Sequence, residues 1–584
     1  MVSSTSLKTP SSGKRSAFRW IEENAHTSLI LLVIFIGFIL RLIAALDSTG
    51  MIHPDEIYQS LEISHLLVFG TGRKAAEFQT TNPDIASYAE SRSYTFPWIF
   101  AFIMEIGKFL GWNYQTQTLL VIRIFLAINA TLLIPIIAKL MYQLTKNQNV
   151  ALYSAIFIAF WFRIIEFTVR SFNNTFFLPI LFYGIYRVLL AMERKKTTLW
   201  DHLIWAIGLG LSSYNRLDLL AIVFAFFILT FRKDSLQIYA YVALDSLYGM
   251  LFCFLVDFHY YKNWSPVPWN WFQFNFTDNG SKIFGVSPWN YYSNELIIND
   301  GLGIFVALTG ITLLVTLILR YRGINIVQSK TENELILFFH KFSGLTIFVW
   351  AVYSSFWDGI TIKKFISWVT FNGGWNPESH KEMRFMIGGL IVLLCLLATA
   401  IEVTISIVSE IIVQNSTNRS GKPTKSVNLM EYKYWIKVIL GCLLIAILLI
   451  QSFQYANFRY HREAFSDTNE AMAWVGQQKD LQAVMIALVW FLSGGYTYLN
   501  PSHPVNITYA DFSASDALAR SYYLYTFRNF VANAEPGYYF ILPKFQISYY
   551  PNVIQDLVIN NWIPVKVVQG TAEIWKFAQL STSV

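Results

Sequence analysis

The string His53-Pro54-Asp55-Glu56-Ile57-Tyr58-Gln59-Ser60-Leu61-Glu62 places Asp55, Glu56 and Glu62 together just after a long apolar run. A carboxylate at the edge of a bilayer meets both water and headgroups, and partial desolvation raises its basicity into the range a general base needs. The same residues also suit a plain helix start, with Pro54 in the first turn and acidic side chains facing the positive end of the dipole. A second string, Ser379-His380-Lys381-Glu382-Met383-Arg384-Phe385, opens another apolar run. His380, Lys381 and Arg384 can neutralise a departing phosphate, or they can snorkel as ordinary helix-end anchors. Between Asp257 and Tyr292 the chain is dense in Trp, Tyr and Asn, and Trp269-Asn270 and Trp289-Asn290 each follow a proline. Aromatic faces pack on a sugar ring while amides hold its hydroxyls, although an interfacial aromatic belt also collects Trp and Tyr. Arg92, Arg170, Asn173, Arg216 and Asp218 lie at the ends of apolar runs, where ionisable and polar groups are functional candidates. The chemistry to be tested is therefore catalysis by Asp55 and Glu56 and phosphate binding by His380, Lys381 and Arg384. Substrate contacts would come from the remaining residues of these strings, His53, Gln59, Glu62, Arg92, Arg170, Asn173, Arg216, Asp218, Asp257, Trp269, Asn270, Trp289 and Asn290.

Apolar helices must position these groups. Of 584 residues, 54% are hydrophobic and 14% charged, and the mean hydropathy is +0.41. Runs such as Ser28 to Leu46, Leu119 to Leu140 and Met386 to Ile407 approach or exceed the roughly 20 residues that cross a bilayer core of about 30 Å. The pattern predicts roughly ten to twelve spans, in an all-α polytopic membrane protein, since lipid leaves no other way to pair the backbone. The net charge of +7 is scattered in short clusters between the runs. That distribution reads as membrane topology and not as a nucleic-acid surface. Clusters at Lys139 to Lys146, Arg194 to Lys196, Arg320 to Arg322 and Lys422 to Lys437 then face the cytoplasm, and the loops 47–93 and 257–300 face outward. Tyr94 to Trp112 breaks this alternation, either as a re-entrant pair or as a miscounted span. Residues 1–27 read as a disordered cytoplasmic segment, 28–452 as the membrane module and 453–584 as a small outward-facing α/β domain. In that domain Leu481 to Leu492 and Tyr538 to Leu542 are expected strands. Cys253, Cys395 and Cys442 sit in apolar contexts without a disulfide or metal pattern. No cofactor is required by these residues, and a divalent metal on Asp55 and Glu56 is possible but not indicated.

Taken together, HPDEIYQSLEISHLLVFG, SRSYTFP, RSFNNT, PWNWFQFN, PWNYY and HKEMRF resemble glycosyltransferase family 22 over about residues 28–390. Family 22 comprises α-mannosyltransferases that use dolichyl-phosphate mannose. PDEIYQSLEISH is most similar to the branch that assembles glycosylphosphatidylinositol (GPI). The resemblance implies a GT-C fold, a lipid-phosphate mannose donor, a glycan or glycolipid acceptor such as a GPI precursor, and an α-linkage formed with inversion. It also implies that Asp55 acts in catalysis and that His380, Lys381 and Arg384 lie near the donor. The setting would be a lumenal face of the endoplasmic reticulum membrane in a eukaryote, or a periplasmic face of the inner membrane in a bacterium. The sequons at Asn263, Asn275 and Asn279 lie inside the loop expected to bind sugar, which keeps open a bacterial enzyme with another acceptor. A transporter or flippase, with Arg41, Arg216 and Asp218 along its pathway, is the rival from a different class.

Overall fold

The computed structural model describes residues 13–47, 50–79, 89–264, 266–277, 287, 290–322, 330–355, 383–420, 465–500 and 505–578, with part of 439–450. The first helix runs Gly13–Leu46. Helix therefore takes the place of the disorder expected over 13–27, because Ala, Arg and Glu in 14–25 extend the apolar helix on its N-terminal side without a breaker. Among the described residues, seven helices are long and apolar enough to span: His26–Leu46, Tyr114–Thr145, Asn173–Arg194, Lys233–Tyr261, Gly303–Tyr321, Thr331–Tyr353 and Arg384–Ile411. Gln148–Phe160 and Phe162–Thr168, bent by 61°, form an eighth if counted as one span, and Leu219–Thr230 is apolar but short. Of the most apolar 18 residues in each, 83% are buried in Arg384–Ile411 and only 17% in Gly303–Tyr321, so the helix that carries Arg384 is the centre of the bundle.

Helix breaks occur where polar groups are needed. The bend between Phe160 and Phe162 frees carbonyls at a helix end, and buried Arg41 answers them, donating to Ala159 O at 3.0 Å and Ile158 O at 2.7 Å. Helices also stop at Thr168 and restart at Asn173, and stop at Asn215 and restart at Leu219. Thr95–Phe109 is a single helix of 15 residues, about 22 Å long at 1.5 Å per residue and too short for the bilayer core. Phe96, Phe100 and Met104 bury one face of it, while Trp98, Phe102 and Phe109 are exposed on the other. That pattern suits a helix lying along the membrane surface.

The C-terminal domain is a five-stranded sheet of order β2-β1-β3-β5-β4. Its strands are β1 Ala483–Ile486, β2 Asn506–Tyr509, β3 Tyr538–Pro543, β4 Trp562–Val568 and β5 Ala572–Phe577. β2, β1 and β3 are parallel, and β5 and β4 add antiparallel. Alternation along β1 sends Val484 and Ile486 into one core, with Met472 and Val475, and Met485 into the other, with Phe527 and Phe540. The strand expected to reach Leu492 stops at Ile486, because Trp490–Leu492 turns into a 3₁₀ helix that meets the membrane module.

Candidate active site

The segment that follows the first helix is built around Pro54. Its carbonyl accepts from Ile57 N at 3.0 Å and Tyr58 N at 2.9 Å, starting a π-helical turn, Ile57–Leu61, that continues into the α-helix Glu62–Phe69. Asp55 projects from the open first turn. Arg384, 329 positions later and at the N-terminal end of the central helix, donates from Nη1 to Asp55 Oδ2 at 2.6 Å. His53 Nδ1 lies 3.4 Å from Asp55 Oδ1 and accepts from Asp55 N at 3.1 Å. Burial alone would push the Asp55 carboxyl up, but Arg384, His53 and Arg92 outweigh it and hold the group far below the usual carboxylate range.

Arg384 is itself placed with care. Its guanidinium lies 4.8 Å from the centre of the Phe385 ring and 5.4 Å from that of Phe172, and its carbonyl accepts from the Asn174 amide. Arg216 approaches the same Phe385 ring at 5.3 Å and Trp271 at 5.8 Å, and its Nε donates to Asp218 Oδ1 at 2.8 Å. Arg92 stands in the field of Arg216, Glu77, Asp55 and Arg384; burial and the neighbouring arginines lower its affinity for a proton, and the two carboxylates oppose them. Gln59 donates to Glu77 Oε1 at 2.9 Å. Burial raises the Glu77 carboxyl, with Arg92 opposing and Asp55 adding to the rise.

Around this cluster several buried polar atoms have no hydrogen-bond partner among the described residues: Arg92 Nε and Nη1, Arg216 Nη2, Asp218 Oδ2, and Asn173 Oδ1. Native interiors leave few such atoms, and a group of them in one place marks where a ligand completes the bonding. Phe172, Trp271 and Phe385 belong to the site although the sequence did not single them out as ligand contacts; Glu77, an ionisable candidate of the first loop by its sequence, joins them.

Other expected site residues make contacts within the protein. Arg170 ties Glu56, at 3.5 Å, to the Gly50 carbonyl, at 2.9 Å, and Glu56 also accepts from Ile52 N. Burial raises the Glu56 carboxyl, opposed by Arg170 and by that backbone donor. Asp257 accepts from Ser93 Oγ at 2.9 Å and Tyr94 N at 2.8 Å, fastening the first loop to helix Leu236–Tyr261. Asn173 Nδ2 donates to Asn215 O at 3.2 Å, joining the two helix breaks. Asn270 donates to Glu90 O at 3.1 Å, Trp269 is exposed and stacks on Phe272, and Asn290 caps the short helix Tyr291–Ser293. Asn275, whose sequon was weighed above, is buried and donates to Trp271 O. Glu62 is fully buried beneath the C-terminal domain, where Tyr496 N, Thr497 N and Thr497 Oγ1 donate to it together with Arg73 N. His380, Lys381 and Trp289 lie outside the described residues.

Apolar spans, a carboxylate on the first loop gripped by an arginine at the mouth of the central helix, and an α/β domain seated on that loop define a multi-pass membrane protein of GT-C architecture. The fold is similar to ArnT from Cupriavidus metallidurans, solved bound to undecaprenyl phosphate, at a TM-score of 0.54 and 10% identity over 94% of this chain and 98% of that one. The apo form of ArnT matches at 0.50 over 95% and 98%. The chain belongs to the Alg9-like mannosyltransferase family, whose sequence model matches residues 32–500. Similar relatives include mannosyltransferase APTG1 of Arabidopsis thaliana, 26% identical over 54% of this chain and 52% of that protein. GPI alpha-1,2-mannosyltransferase 3 of Danio rerio is 25% identical over 45% and 47%, and that of Homo sapiens 24% over 41% and 42%. The matched part of the chain spans about half the length of these relatives.

Proposed function

We propose that this protein transfers mannose from a polyprenyl-phosphate mannose to a glycan or glycolipid acceptor at the non-cytoplasmic membrane face, with inversion to an α-linkage. Membership of the Alg9-like family supports the sugar and the class of donor. The relatives named for GPI mannosyl transfer favour a GPI precursor as acceptor and the endoplasmic reticulum membrane as the setting. The observation that carries the chemistry is the contact between Asp55 and Arg384, which brings a base and a phosphate-binding cation to one point from opposite ends of the catalytic module.

In this reading Asp55 accepts the proton of the acceptor hydroxyl as its oxygen bonds to the anomeric carbon. The bond from that carbon to the phosphate oxygen breaks, and its electron pair stays with the phosphate. The leaving group departs as an anion, so it needs cationic stabilisation and no general acid. Arg384 supplies that charge, with His380 and Lys381 beside it in sequence. Glu56 and Arg170 hold the loop that carries Asp55. No metal ion has a required part in these steps.

The test is an assay of membranes supplied with labelled polyprenyl-phosphate mannose and a GPI-precursor acceptor. Wild type should yield a labelled glycan and Asp55→Asn should not, at equal expression. Near-normal transfer by the variant would remove Asp55 from the mechanism, and absence of any labelled product with the wild type would remove the function.

A further inference from the structure

We infer that the donor unmasks its own base: the phosphate of the lipid-linked sugar is received between Arg92 and Arg216, draws Arg384 off Asp55, and so frees the carboxylate to take the acceptor proton. The inference rests on the reading of Asp55 as base and of the donor as a lipid phosphate, and goes beyond both in naming the phosphate contacts and the exchange.

In the structure Asp55 is engaged by a guanidinium at 2.6 Å. A carboxylate held that way is a weak proton acceptor, because the ion pair must be given up on protonation. Arg384 therefore has to leave, and it needs a better anion to move to. Arg216 is 2% exposed, and among the described residues its Nη2 has no acceptor, nor do Nε and Nη1 of Arg92. Arg216 and Arg384 flank one ring, that of Phe385, at 5.3 and 4.8 Å, so an anion bridging Arg92 and Arg216 lies beside Arg384 as well. A phosphodiester offers two unbridged oxygens with several lone pairs, enough to answer those donors, and Arg forks match phosphate geometry. Inward-facing like charges also repel unless an anion separates them.

The charges then follow the reaction. Before transfer the donor phosphate carries one negative charge and Asp55 another. After transfer Asp55 holds the acceptor proton and is neutral, while the released phosphate monoester has gained the charge that Asp55 lost. Arg384 moves with that charge from carboxylate to phosphate. Without donor the base stays masked.

Binding of dolichyl phosphate to the purified full-length protein in nanodiscs tests this directly. Asp55→Asn, which keeps the shape and removes the charge, should bind it about tenfold or more tighter than wild type, a change of about 1.4 kcal/mol, despite having lost transfer. Arg92→Gln and Arg216→Gln should each bind it at least about tenfold more weakly; Arg92→Gln, which breaks no observed hydrogen bond, is the cleaner of the two. Inorganic phosphate as a second probe should show the same gain in Asp55→Asn, since only the anion meets Arg384. Equal or weaker binding by Asp55→Asn, undiminished binding by Arg92→Gln, or a gain confined to the lipid probe would overturn the exchange. An inactive Asp55→Asn with unchanged affinity would do so while leaving the proposed function standing, whereas an active Asp55→Asn would sink that function instead.

Discussion

Asp55 and Glu62 lie two helical turns apart on one segment, and both are acidic groups withdrawn from water, yet their surroundings are opposite. Glu62 receives four donors, from Arg73 N, Tyr496 N, Thr497 N and Thr497 Oγ1, and nothing about it is left over. Asp55 has Arg384 and His53 beside its oxygens, in a neighbourhood where, among the described residues, Arg92, Arg216, Asp218 and Asn173 keep unused donors and acceptors. Saturation by backbone N–H groups is how a protein fixes a carboxylate for good, and local deficit is how it leaves a place for something else. The comparison separates two acidic residues that a string of letters presents as equals.

The largest effect should come from the deficit end. Asp55→Asn should lower transfer by about 10²–10⁴-fold, the usual worth of a general base, far out of proportion to the fall in melting temperature that losing its ion pair with Arg384 brings. Glu62→Ala should do the reverse. Each donor stripped of its acceptor costs about 1–3 kcal/mol, so the melting temperature in detergent should fall steeply while the folded fraction keeps its turnover. Glu62→Gln, which retains one acceptor oxygen, should lie between Ala and wild type in stability. A Glu62 variant that loses turnover without losing stability would break the contrast between the two carboxylates.

A pH series sharpens it next. Glu56 has its carboxyl raised above the ordinary value of 4.5, by burial foremost, so the folded state binds its proton more tightly than the unfolded chain. The stability this gives is fully present below pH 4.5 and is lost as pH rises through the raised value. Asp55, held below its ordinary 3.8, behaves oppositely: its contribution is present above that pH and is lost only as pH falls through the depressed value. Glu56→Gln should therefore flatten the decline in melting temperature on the alkaline side of pH 4.5, while Asp55→Asn should leave that decline in place. Parallel curves for wild type and Glu56→Gln would remove Glu56 as its source.

Much of this was legible in the letters, and the reasons differ by element. Long apolar runs dictate helices in lipid whatever their neighbours, so Met386 to Ile407 could be read as a span before its central place was known. The helix breaks at Arg170 to Asn174 and Arg216 to Asp218 were marked by polar residues no apolar helix would carry. PDE beside an apolar run pointed to Asp55, and RF at the mouth of another to Arg384. What could not be read was pairing at a distance. Nothing local distinguishes Glu62 from Asp55, because the donors that saturate Glu62 come from Tyr496 and Thr497, more than four hundred positions away. Asp257 and Asn270, expected as sugar contacts, also bond the first loop through Ser93, Tyr94 and Glu90, partners that are not their neighbours in sequence. The strand expected through Leu492 ended early for the same reason: the residues after Ile486 are shaped by the membrane module beneath them.

The smallest effect should lie at that seam. Tyr58 sits on the segment between Asp55 and Glu62, and its hydroxyl donates to Trp490 O at 2.5 Å and lies 3.1 Å from Ser493 O, while its ring packs edge-on against Trp490 at 4.7 Å. Tyr58→Phe keeps the ring contact and the volume and deletes only the hydroxyl, so it should cost about 1 kcal/mol and show as a small drop in melting temperature. Because Glu62 still anchors the same helix through four hydrogen bonds, turnover should be nearly unchanged. A large loss of transfer in Tyr58→Phe at wild-type stability would mean that the C-terminal domain sets the position of Asp55 through Tyr58, and the boundary drawn here between anchoring and catalytic groups would have to move toward the domain.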